Sequence, residues 1–387
     1  LVILISPLPL GRGLEGSVDS GGQAESWLML IYMAADNNLG ENESYGNAAW
    51  FDIEEIEGNM STESLDVLIL NDMKGDHNTR LYDLSKHPAP GIGSPTIPLS
   101  DVNPSWGDEL RTSDWRVLRD FIVYGVNSGS HDRIMLDIWD HGTGWYTTLS
   151  TRSPGTRGFA QDVTDGGTML LDGLRSALTE ASSQLGGLEM DVISFDTCYM
   201  ATMEVMYQVS PWADYGLGVQ EQQPFYGMNY TFTSEMGVNT TLTPETLVEK
   251  AVDLYAGTYT LSIDPWAGLT AVNLTILSRG LLESLDDLAR NLTGRIYHLE
   301  VEESGKFYQA YLLAERIGGS STRIDLGDLL KWIYVEDMDP TITRLSGIAW
   351  EQYNSTILRE FHFEAGNNPD ATGLNIYFPP GGYNSKY

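Results

Sequence analysis

Asp191-Val-Ile-Ser-Phe-Asp-Thr-Cys-Tyr-Met-Ala-Thr-Met-Glu-Val-Met-Tyr-Gln208 is the stretch that decides how this chain folds. Val192–Phe195 is a short β-prone run, and Met200–Tyr207 has helix-forming composition with no Gly or Pro. Cys198, the only cysteine among 387 residues, therefore stands where a buried strand hands over to a helix. In an open α/β sheet that is the carboxyl edge, where ligands and catalysis collect. The helix is expected to aim its first N–H groups at the thiol and so favour thiolate. Against this stands the plainer reading of a lone cysteine as a small buried hydrophobe. A second landmark is needed.

Arg133-Ile-Met-Leu-Asp-Ile-Trp-Asp-His-Gly-Thr-Gly-Trp145 supplies it. Ile134–Trp139 is again strand-like, and His141 follows it as Cys198 follows its own strand. The interval between them holds one helix and the return crossover of a βαβ unit. Neighbouring parallel strands then present imidazole and thiol side by side. That pair is the minimum for nucleophilic catalysis, because the imidazole takes the thiol proton and later protonates the leaving amine. Gly142 leaves its N–H unobstructed, and with the N–H of Cys198 it is suited to an oxyanion hole.

The two motifs in this order and spacing resemble those of the cysteine peptidases with the caspase-like fold (caspases, legumains, gingipains and clostripain). The best likeness is to the clostripain family. It rests on Trp27-Leu-Met-Leu-Ile-Tyr-Met-Ala-Ala-Asp-Asn-Asn-Leu39, Asp140-His-Gly-Thr-Gly-Trp145, Phe195-Asp-Thr-Cys-Tyr-Met-Ala-Thr-Met-Glu204 and Gly373-Leu-Asn-Ile-Tyr-Phe-Pro379. The resemblance implies an α/β fold with a caspase-like, mostly parallel central sheet flanked by helices. It also implies a cysteine endopeptidase that cleaves after Arg, less readily Lys, through a Cys198–His141 dyad and a thioacyl-enzyme. Asp196 would form the floor of the S1 pocket, with Glu221 in the loop Gln220–Tyr230 beside it. A carboxylate fixed in a narrow pocket favours a guanidinium through a charge-assisted bidentate contact. Outside the pocket, Asp196 would serve as a structural cap for the Met200 helix, and the two roles are not exclusive. Relatives are often self-cleaved after a basic residue between the two motifs, which makes Arg152 and Arg157 candidates; the plain reading is an exposed loop. No cofactor is required. Some relatives need structural calcium, but no EF-hand spacing gives it an address here.

Composition sets further bounds. With 42% hydrophobic residues the chain is not disordered as a whole. A formal net charge of −32 makes nucleic acid an unsuitable partner, since phosphate binding needs Lys and Arg. Solubility is the simplest cause of the acid excess, and attraction of basic peptides is a second. Residues 1–26 read as an apolar signal-peptide remnant, too short to span a bilayer, followed by a Gly/Ser/Glu-rich spacer. Residues 27–387 read as one peptidase domain, more helical over about 280–362. Sequons at Asn42, Asn59, Asn229, Asn239, Asn273, Asn291 and Asn354 point towards an extracellular or cell-surface protein. The expected form is a monomer or a self-processed two-chain species, acting on peptides or proteins with a basic P1 residue.

Around the motifs, Asp36, Asn37 and Asn38 read either as cleft lining or as turn residues. Asp114 is expected to cap a helix to Val126, and Asp165–Thr168 to cap one from Met169 to Ser183. Ala271–Leu274 reads as an edge strand and Leu345–Glu360 as a helix. Asp140 adjoins His141, but neighbours at a strand end point apart, which favours a structural role. Two rivals remain: an inactive binding protein that keeps the fold, and a metal-dependent hydrolase built on Asp137, Asp140 and His141. The other histidines show no metal-ligand spacing.

Overall fold

A computed structural model describes residues 26–41, 47–61, 63–86, 95–145, 158–297, 301–336 and 338–379. Residues 1–25, Asn42, Arg152 and Arg157 lie outside them. In chain order the strands are β1 (Trp27–Ala35), β2 (Leu65–Met73), β3 (Arg80–Asp83), β4 (Thr96–Ile97), β5 (Arg133–Trp139), β6 (Phe159–Asp162) and β7 (Gly167–Met169). They continue with β8 (Met190–Asp196), β9 (Ala213–Gly218), β10 (Gly268–Asn273), β11 (Arg323–Asp325), β12 (Ile357–His362) and β13 (Asn375–Tyr377).

All nine residues of β1 are buried, as expected of a strand covered on both faces. It pairs in parallel with β2 on one side and β5 on the other, and β8 and β9 extend the parallel run. Antiparallel strands finish both margins, giving one sheet ordered β12-β10-β9-β8-β5-β1-β2-β3-β4.

The period of two along β1 divides the core. Leu28, Leu30 and Tyr32 face the helices Trp115–Asn127 and Leu171–Gln184, while Trp27, Met29, Ile31 and Met33 face Ala48–Asn59 and Pro244–Thr258. Asp114 caps its helix through the Arg116 N–H. The carboxyl-terminal half is the more helical, with helices Leu282–Tyr297, Val301–Leu313, Leu326–Val335 and Pro340–Thr356. A separate ribbon of β11 and β13 joins them to the sheet. No helix among the described residues is long and apolar enough to cross a membrane.

Three local expectations are overturned. The helix after Cys198 begins at Met203, not Met200, and Thr202 caps it by accepting from Val205 N–H. Before it, Tyr199 N–H and Ala201 N–H bond to Glu221 O and Val219 O, and this pairing outweighs helix propensity. Asp165–Thr168 caps no helix. It belongs to the β6–β7 hairpin, where Gly166 and Gly167 take positive φ and Asp165 N–H bonds to Asp162 Oδ1. The last long helix stops at Thr356, and Ile357–His362 leaves it as the edge strand β12, so β10 is an inner strand.

Candidate active site

Strands β5 and β8 are hydrogen-bonded neighbours, with Trp139 opposite Asp196. Their ends stay together one step further, since Asp140 N–H reaches Asp196 O at 3.4 Å. His141 and Cys198 thus leave the sheet from adjacent positions, both half-buried. The two loops touch at Gly142: a Cβ there would lie 2.3 Å from Cys198 O and 3.0 Å from its backbone nitrogen. Only glycine allows this approach.

The thiol receives N–H groups from Gln223, at 3.3 Å, and from Gly142. These replace the helix N-terminus that the sequence suggested, which starts five residues downstream. Burial raises the Cys198 pKa above the ordinary thiol value, the two N–H groups oppose it, and Asp196 and Asp140 add to the rise. Burial lowers the His141 pKa. Each shift disfavours the charged form, so the resting pair is neutral thiol and neutral imidazole.

His141 is held from the β1 turn. Its Nε2 lies 2.8 Å from Asn38 Oδ1, and with the Asn38 amide assigned in this orientation the ring proton sits on Nε2 and Nδ1 keeps its lone pair. Asn37 Nδ2 donates to Asp140 Oδ1 at 2.7 Å, and Asp140 Oδ2 accepts from Gln161 N–H. Asp140 thus ties the β1 turn to β6.

Asp196 is buried and fully engaged. Its oxygens accept from Gln223 Nε2 at 2.6 Å, from Met228 N–H at 2.8 Å and from Tyr230 OH at 3.0 Å. It caps no helix. Tyr230 OH also lies 2.7 Å from Asp137 Oδ2, while Asp52 and Glu55 stand nearby through Trp139 Nε1 and Tyr230 N–H. Burial raises the pKa of all four acids, and charges within the group raise Asp52, Glu55 and Asp137 further. Glu221 lies elsewhere: its carboxylate takes the Asn368 amide and packs against Gly318. Beyond the cysteine, the Arg323 guanidinium lies 3.8 Å from the centre of the Tyr199 ring, over a residue held at φ +62°.

Asp137, Asp140 and His141 do not converge on a metal position, because Asp137 faces Tyr230 and Asp140 faces Asn37. Among the described residues, the group able to hold an ion is Asp36, Asp72 and Asp162. Its donors are all oxygen, and Asp162 Oδ2 is buried with no partner, so these residues fit the calcium implied above. The sequence reading missed Asp52, Glu55, Asp72, Asp162 and Tyr230 as site residues. The only signal was a carboxylate buried at the end of a largely apolar run, as at Asp72 after Val67–Leu70.

A histidine and a cysteine carried on adjacent parallel strand ends, with glycine between them, define a cysteine peptidase of caspase-like architecture. The sequence profile of the Clostripain family matches residues 31–380, and the chain belongs to that family, a family of cysteine-type endopeptidases. No curated protein matches. Among solved structures it is similar to a secreted C11 cysteine protease from Bacteroides thetaiotaomicron, in complex with an irreversible peptide inhibitor. The TM-score is 0.67 and the identity 20%, over 93% of this chain and 94% of that one. An inactive zymogen C11 protease from Parabacteroides distasonis follows, with TM-score 0.62 and 18% identity over 92% and 93% of the two chains. At these identities the likeness is one of fold.

Proposed function

We propose that this peptidase cleaves after Arg, less readily Lys, using His141 as general base and Cys198 as nucleophile. His141 Nδ1 takes the thiol proton as sulfur attacks the scissile carbonyl carbon. The oxyanion is met by the N–H groups of Gly142 and Cys198. Collapse expels the amine, which takes the proton from His141 and leaves a thioester. Water, deprotonated by the same imidazole, hydrolyses it and restores the thiol.

One observation carries the P1 preference. Asp52, Glu55, Asp137 and Asp196 converge around Tyr230, and the charges that raise Asp52, Glu55 and Asp137 all come from acids of this group. An entering guanidinium or ammonium relieves that repulsion, whereas an apolar or acidic side chain does not. The secreted state of the Bacteroides thetaiotaomicron relative and the sequons support an extracellular location. Arg152 and Arg157 are the proposed sites of self-cleavage.

The test uses peptides that differ only at P1, with wild type, Cys198→Ala, His141→Ala and Asp196→Asn. Expected are loss of turnover in the first two variants and a fall of at least about a hundredfold in the Arg-over-Leu ratio in the third. Equal turnover in Cys198→Ala and wild type would remove the mechanism. A wild-type preference for Leu or Asp at P1 would remove the specificity alone.

A further inference from the structure

A cation stands just past the nucleophile, on the other side of it from Asp196 in the chain. Arg323, on β11, holds its guanidinium carbon 3.8 Å from the centre of the Tyr199 ring, and Tyr199 directly follows Cys198. Tyr199 has φ +62°, a backbone state uncommon for a residue with a side chain and concentrated at functional sites.

What this guanidinium lacks is an acid. The chain has 54 acidic residues against 22 basic ones, and Arg119, Arg133 and Arg359 each end on a carboxylate. Arg323 is half-buried, yet among the described residues none accepts a hydrogen bond from its side chain. Burial raises the Glu221 pKa and the charge of Arg323 opposes that rise, but the Glu221 carboxylate takes the Asn368 amide instead. The charges that move the Cys198 pKa most are those of Asp196 and Asp140, so the guanidinium is not placed to stabilise the thiolate. A guanidinium with its face on a ring keeps its N–H groups for an acceptor, and a carboxylate matches their fork.

The histidine loop tells which side of the scissile bond this is. His141 gives its proton to the leaving amine, so the leaving peptide lies along that loop. Further on, a Cβ at Gly144 would stand 2.9 Å from Tyr199 O and 3.9 Å from Tyr199 Cβ. Trp145 sets its ring 5.0 Å from that of Tyr377, and Tyr377 is the strand partner of Arg323. The loop that bears the general acid thus runs onto the Tyr199–Arg323 pair.

We propose that Arg323, stacked on Tyr199, binds an acidic side chain on the leaving-group side of the scissile bond, at P1′ or P2′. The inference rests on the cleavage reaction given above, with the P1 side chain held at Asp196. It makes the preferred site a basic residue followed closely by an acidic one. Elsewhere a surface of net charge −32 repels acidic peptides, so the preference has to be local to Arg323.

The test measures kcat/KM on peptides with Arg at P1 and Asp, Asn or Lys at P1′ or at P2′, for wild type, Arg323→Gln and Arg323→Glu. All peptides carry amidated carboxyl ends, which removes the terminal carboxylate as a rival source of charge. Wild type should prefer Asp over Lys by at least about tenfold at one of the two positions. That ratio should shrink to about twofold or less in Arg323→Gln and reverse in Arg323→Glu. Each ratio is taken within one preparation, so loss of folded enzyme cancels. A merely structural Arg323 would lower the rate on every peptide alike, and unmoved ratios would overturn the proposal. So would a wild-type enzyme that demands Arg at P1 but is indifferent to charge at P1′ and P2′. An Asp preference that survives when Leu replaces Arg at P1 with no loss of rate would support Arg323 and remove the P1 specificity alone. Should neither variant fold, wild type in rising NaCl decides: screening should erode the Asp preference, and a ratio constant up to about 1 M would sink the ion pair.

Discussion

Asn38 Oδ1 lies 2.8 Å from His141 Nε2, joining the turn after the first strand to the imidazole beside Cys198. The contact fixes both the tautomer and the direction of the ring. A neutral hydrogen bond contributes about 1 kcal/mol, and loss of orientation adds to that. Asn38→Ala should therefore lower kcat about tenfold on a good peptide, with KM nearly unchanged. Steady-state kinetics check it, and an unaltered kcat would show that the imidazole finds its place unaided.

Gly142 should tolerate no side chain. In Gly142→Ala the new methyl meets Cys198 O, and relief requires the two loops to part. Parting them withdraws one N–H from the oxyanion, a loss of about 10²–10³ in kcat. Overpacking should cost about 1–3 kcal/mol, visible as a lower Tm. Full activity in this variant would mean that the Gly142 N–H does not face the intermediate.

The resting dyad is neutral, and this has a pH signature. Because burial raises the thiol pKa and lowers that of His141, alkylation of Cys198 by iodoacetamide should keep accelerating above about pH 8.5. The acid limb of kcat/KM should fall below about pH 6.5, since the base must be unprotonated. A flat alkylation rate from about pH 5 to 8 would reveal a preformed thiolate–imidazolium pair instead.

The Asp137–Tyr230–Asp196 array makes stability fall with rising pH. One hydroxyl proton cannot serve two ionised acids, so one of them holds a proton. Burial, and then the charge of Asp196, push Asp137 up to about 7. Its unfolded value is about 3.9, so the folded protein binds more protons through that window. The stability this contributes is complete below about pH 4 and is lost as pH rises through about 7. Melting scans should show Tm declining from pH 5 to 8, with a shallower decline in Asp137→Asn. A slope unaltered by that substitution would assign the shared proton to another group.

The sheet, and the adjacent placement of His141 and Cys198, were legible because each is written locally: β1, β5 and β8 are mostly apolar, β-prone runs, and the two residues stand just past the ends of β5 and β8. The acids around Tyr230 were not. Asp52, Asp137, Asp196 and Tyr230 lie on four elements, and no spacing announces that they meet. The same holds for Asp36, Asp72 and Asp162, where each residue reads alone as a turn or an odd polar position. Met200–Ala201 misled for a related reason. Their helix propensity is real, but pairing with Val219–Glu221 outweighs it.

Thr202 bridges to Asn375, and Asn375 N–H bonds to Ala201 O, so the turn bearing the thiol is latched by a strand near the far end of the chain. Residues 375–377 are made well after residues 198–202, so the turn that bears Cys198 gains these backbone partners only late in synthesis.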